Sequence, residues 1–214
     1  MALTGSVGLA EGQETETTIV IKHDLSRGPA TAVKAMLLHF SLAQIKQQGH
    51  LDRYVGFMGE DKLKMLQGQS ATAWVPVQLV LDHYQACDQL DLTVTQARKV
   101  ASNVGADIKR RNDSVNEKSA RPEENFDLWT EVMAMHRMWG RLYRGGSVQV
   151  AKLGDNGWRF EQRGFPMNRF AYFRNGQLAV IDATMRCLGA VVQRSEVIGY
   201  DASIDELVLE LTWR

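Results

Sequence analysis

Ser147-Val-Gln-Val-Ala-Lys-Leu-Gly-Asp-Asn-Gly-Trp-Arg-Phe-Glu161 and Glu206-Leu-Val-Leu-Glu-Leu-Thr-Trp213 decide the fold. Successive side chains on a strand point to opposite faces, so a half-buried antiparallel strand alternates apolar with polar residues. Val148 and Val150 flank Gln149, and Trp158 and Phe160 alternate with Arg159 and Glu161 across a Gly154-Asp-Asn-Gly157 turn, a strong hairpin signal. Leu207, Leu209, Leu211 and Trp213 share one face, with Val191 to Tyr200 as the expected partner strand. Between the two hairpins Phe170, Phe173, Gln177, Val180, Ile181, Thr184, Met185 and Leu188 recur at helical spacing, and Gly189 supplies a left-handed stop. Residues 147–214 therefore read as an antiparallel sheet part in ββαββ order.

Working backwards, residues 29–145 read as a helical part. Pro29 is tolerated in a first helical turn, and Val33, Met36, Leu37 and Phe40 make an apolar stripe that predicts a helix to Gln48. Short helices follow around Leu51 to Met58 and Leu63 to Leu66, and Trp74-Val-Pro76 opens another, through Cys87. Thr93 with Gln96 three residues later is a capping box, and Gly105 closes that helix. Lys109 to Glu124 lacks apolar periodicity and reads as an exposed loop. The last helix of this half starts near Asn125, carries Leu128, Val132, Met135, His136, Trp139, Leu142 and Tyr143 in its stripe, and stops at Gly145-Gly146. It runs straight into the first hairpin, so residues 19–214 are expected to form one α+β domain, the helical part packed on the sheet. Residues 1–18 read as a flexible tail, and Thr18 to Lys22 can form a short strand after it.

Composition excludes several classes of function. Lysine plus arginine equals aspartate plus glutamate at 25 each, so no global field draws the chain to nucleic acid. Two cysteines, Cys87 and Cys187, build neither a disulfide scaffold nor a thiolate cluster, which fits a reducing cytoplasm. Met1 to Thr18 lacks the basic start and apolar run of a secretory signal, and no apolar stretch approaches the roughly 20 residues that cross a bilayer. The five histidines show no His-Glu-x-x-His, and His23-Asp24 and Asp82-His83 are mere neighbours, so no metal site is expected. No Gly-x-Ser-x-Gly surrounds a serine, and Gly140 to Gly146 lacks the lysine spacing of a phosphate loop, so no catalytic residue is assigned.

The Trp74-Val-Pro76 entry, the Tyr143-Arg-Gly-Gly146 turn, the helix from Phe173 to Gly189 and the terminal Val208-Leu-Glu-Leu-Thr-Trp213 resemble a paralogous domain family of unknown function expanded in myxobacteria. That family is similar in fold to haem nitric-oxide-binding domains, 4-vinyl-reductase-like small-molecule-binding domains and the vesicle-tethering TRAPP subunits. The resemblance spans roughly Ile19 to Arg214 and implies ligand sensing or an adaptor role, often with dimerisation through the helical part. A haem sensor of that fold couples a proximal histidine to a Tyr-x-Ser-x-Arg motif, and no such motif occurs here. No cofactor is therefore expected, with haem, on His136 or His83, as the alternative.

The expected function is a non-enzymatic signalling or adaptor module that binds a protein partner or a second copy of itself. Its candidate docking residues are the basic Lys109, Arg110 and Arg111. The second reading is a small-molecule or haem sensor. Its apolar pocket lies between the helical part and the sheet, bordered by Met135, His136, Trp139, Trp158 and Phe173.

Overall fold

The computed structural model describes residues 17–99 and 128–214. The decisive alternation holds: Leu207, Leu209, Leu211 and Trp213 are all buried. Each such burial contributes roughly 1.5–3 kcal/mol, so this face anchors the sheet. The strands are β1 (Thr17–Ile21), β5 (Ser147–Leu153), β6 (Gly157–Arg163), β7 (Val192–Asp201) and β8 (Glu206–Trp213), antiparallel in the order β1-β5-β6-β8-β7. The α+β class and the two hairpins are as the sequence predicts. The short strand expected at Thr18 to Lys22 is β1, which begins at Thr17 and so takes in the last two residues of the expected tail; it joins the large sheet by pairing with the first hairpin, Thr17 opposite Leu153 and Ile19 opposite Ala151.

The helical part holds α1 (Ala35–Gln47), α2 (Leu51–Met58), α3 (Glu60–Gln67), α4 (Val77–Asp88) and α5 (Leu128–Leu142); residues 94–99 are also helical. The Thr93 capping box is present, with Thr93 N–H donating to Gln96 Oε1 at 2.9 Å and Gln96 N–H donating to Thr93 Oγ1 at 3.3 Å. Two helix starts differ from the expectation. Pro29 does not begin α1, because β2 (Ala32–Lys34) intervenes, and Trp74-Val-Pro76 is itself strand β3 (Trp74–Pro76) ahead of α4. These strands and β4 (Tyr143–Arg144) form a small sheet, β3-β2-β4, in which Val33 pairs with both Val75 and Tyr143. β-branched residues favour the pleated backbone, and Val33 and Val75 are fully buried there.

Helix α6 (Ala171–Cys187) follows a 3-10 turn and ends where Gly189 takes φ +88°. One contiguous apolar core joins α1 through α6 to the inner face of the large sheet. The Gly105 stop and the Lys109 to Glu124 loop, with Lys109, Arg110 and Arg111, lie outside the described residues.

Candidate functional site

The period of α5 sends Val132, Trp139 and Leu142 into the core, and the helix meets the large sheet through the Trp129 and Trp139 rings. Trp129 stacks at 5.5 Å from Trp213 and donates its indole N–H to Asp155 O at 3.3 Å. Trp139 sits 4.8 Å from Phe160, and Trp158 5.6 Å from the same ring. Two of the expected pocket residues, Trp139 and Trp158, thus meet around Phe160. Phe173 is buried on α6 with its ring edge-on to Tyr84 at 4.8 Å, so it joins the aromatic cluster of the helical half. Met135 lies on α5, its side chain outside the described ones.

Burial at this interface is not matched by hydrogen bonding. Trp139 Nε1, Trp158 Nε1 and both polar atoms of the Gln162 amide are buried without a partner among the described residues, and Gln162 is 0% exposed. A buried polar group left without a partner costs about 1–3 kcal/mol, so native interiors almost always supply one. Trp158, Phe160 and Gln162 occupy alternate positions on the buried face of β6, and Trp139 covers Phe160 from α5. The seam between α5 and β6 therefore holds the Trp139 and Trp158 indole N–H groups and the Gln162 amide, all buried and unpartnered among the described residues. Sequence reading found the two tryptophans by their apolar positions; Gln162, polar in a strand of mixed character, gave no signal.

The two proposed histidines differ. His83 is wholly buried, with Nδ1 2.8 Å from Tyr54 Oη and Nε2 3.1 Å from Ser41 Oγ. Both ring nitrogens are engaged, and burial pushes its pKa down to about 3. His136 is half-buried, one helical turn before Trp139, and burial with the Arg27 and Arg137 guanidiniums holds its pKa below the usual 6.5. It is neutral at pH 7, with a lone pair to offer. Cys87, 3.6 Å from His83, is a buried thiol whose pKa burial raises, which favours the neutral thiol over the thiolate. Tyr143 and Gln177 satisfy each other, the amide donating to the phenol oxygen at 3.0 Å.

No family model matches the chain, and no curated protein matches it either. Solved structures do share its fold. The Fe(II) unliganded H-NOX protein from K. algicida aligns at TM-score 0.60 and 10% identity, over 85% of this chain and 96% of that one. The S. oneidensis H-NOX protein in its Fe(II)NO state aligns at TM-score 0.59 and 11% identity, over 85% and 99%. A structure solved to probe haem distortion in the H-NOX family aligns at TM-score 0.55 and 10% identity, over 85% and 95%. At such identities the likeness establishes the fold. It also corrects one expectation: a chain with no cofactor does not agree with neighbours that are H-NOX proteins described with Fe(II) and haem.

Proposed function

We propose that this chain is a small-molecule-sensing signalling domain, its ligand held between α5 and the inner face of β6 and β8, with haem as the ligand class. The observation that carries the reading is the set of buried, unpartnered polar groups on Trp139, Trp158 and Gln162. Ordered water is the competing occupant, since a buried water also satisfies such groups. The H-NOX-like fold favours a ligand, and favours sensing over a ligand-free adaptor. Kinship with the myxobacterial paralogous family belongs to the same proposal.

The donor set fits haem at one residue. His136 offers a neutral imidazole for iron, whereas both nitrogens of His83 are taken. The N–H groups of Trp139, Trp158 and Gln162 offer hydrogen bonds to carboxylates such as propionates. In the absence of the Tyr-x-Ser-x-Arg arginine, neutral donors alone face those charges, and retention of the group is expected to be weak. Bound haem would supply an iron coordination position for a small ligand; His136 would hold the iron, the N–H groups of Trp139, Trp158 and Gln162 would meet its carboxylates, and the aromatic rings would wall it in. Admission requires Trp139 to part from Phe160, so α5 is the element that reports occupancy.

Absorbance of protein purified after haem-supplemented expression, with mass spectrometry of any copurified compound, tests this. The expected result is a Soret band that His136→Ala removes and His50→Ala keeps. Colourless protein with no copurified compound, and water at Trp139, Trp158 and Gln162 in a crystal structure, would overturn it.

A further inference from the structure

The outer face of the same sheet carries an arrangement that ligand sensing does not use. His23 lies just past β1, and its side chain is 7% exposed. Its Nδ1 is 2.9 Å from Ser147 Oγ. Its Nε2 is buried, has no hydrogen-bond partner among the described residues, and stands 3.7 Å from Glu161 Oε2. One donor atom each from His23, Glu161 and Glu206 lies within 4.8 Å of the others. We propose that these three side chains form a site for one divalent transition-metal ion of the zinc class.

Three physical features support it. First, a buried ring nitrogen with no hydrogen-bond partner among the described residues stands beside the Glu161 carboxylate, with the Glu206 carboxylate close by. Second, zinc–nitrogen and zinc–oxygen bonds of about 2.0–2.2 Å put neighbouring donors about 3.3–3.6 Å apart in a tetrahedron. The His23–Glu161 separation of 3.7 Å is near that already, and the donor atoms of all three side chains lie within 4.8 Å of one another. An imidazole with two carboxylates suits zinc, iron or manganese better than magnesium or calcium, which take oxygen alone.

Third, every donor is itself oriented. Ser147 fixes the ring of His23, and Gln149 donates its amide N–H to Glu161 Oε2 at 3.1 Å. Arg163 donates from Nε at 3.1 Å and Nη2 at 2.7 Å to Glu206 Oε1. Such outer partners position and tune metal ligands. The Arg163 charge also opposes an incoming cation, which makes this a site of moderate affinity. The ion would staple the segment after β1 to β6 and β8, fixing the route of the chain into the helical part.

Calorimetric titration of the full chain, stripped with EDTA, with Zn²⁺ alone is the test. One ion per chain is expected, along with a metal-dependent rise in Tm. His23→Gln and Glu161→Gln should each weaken binding at least about tenfold. His136→Ala, which removes the proposed haem ligand, should leave it unchanged, so the two readings fail separately. Should His23→Gln not fold, Glu161→Gln and the visible bands of Co²⁺ bound to the parent protein decide. No Zn²⁺ binding by the parent, or binding of equal strength in folded Glu161→Gln, overturns the proposal.

Discussion

At the scale of single residues, His83 and Gln162 are opposite solutions to burying a polar side chain. His83 has both ring nitrogens engaged and stays neutral, its pKa near 3 in the folded protein against 6.5 for an ordinary imidazole. The unfolded chain therefore binds a proton that the folded chain refuses. Stability from this group is complete above pH 6.5 and is lost as pH falls from there toward 3, at up to about 1.4 kcal/mol per pH unit. Urea unfolding at pH 7, 6, 5 and 4 should show this decline, and His83→Gln should flatten it. An equal slope in a folded His83→Gln protein would assign the decline to other groups. Gln162, by contrast, has neither amide atom engaged. Gln162→Leu should raise stability by about 1–2 kcal/mol in the ligand-free protein and weaken ligand retention. A destabilised variant would mean that the amide already has a partner, such as water.

At the scale of elements, the join between the two halves is made where glycines cross. Gly146 N–H donates to Gly28 O at 2.7 Å, and Ala30 N–H donates to Gly164 O at 2.8 Å. Gly145, at φ +81°, has no room for a Cβ, which would collide with the Pro29 backbone. Gly145→Ala combines that clash with a left-handed backbone and should cost more than about 2 kcal/mol, read as a lowered midpoint in chemical unfolding. The sequence reads Gly145-Gly146 as a helix stop, which is correct but partial. The stop is a local property of α5; the close approach belongs to a segment far away in the chain. The small sheet was illegible for a related reason, since β2, β3 and β4 span only two or three residues and too short a run has no period. In β8, eight residues of clean alternation made the strand and its buried face readable.

At the scale of the molecule, the same contrast explains which parts of function could be read. Trp139 and Trp158 sit on periodic stripes, and periodicity locates buried faces. The unpartnered amide of Gln162 and the meeting of His23 with Glu161 and Glu206 arise from strands placed side by side, which no single segment encodes. Cohesion is also uneven across the fold. β6 and β8 are hydrogen-bonded to neighbours on both edges, whereas α5 is held to the large sheet by ring contacts, Trp129 on Trp213 and Trp139 on Phe160, above unsatisfied polar atoms. Low local stability is where ligand-responsive elements are found. Amide hydrogen exchange should therefore be faster in α5 than in β8 by at least about tenfold in ligand-free protein. Loading with haem should slow α5 selectively and leave β8 unchanged, because β8 already opens only with the whole domain. Equal protection of α5 and β8 before loading would remove α5 as the moving element and, with it, the route by which a ligand reaches Trp139, Trp158 and Gln162.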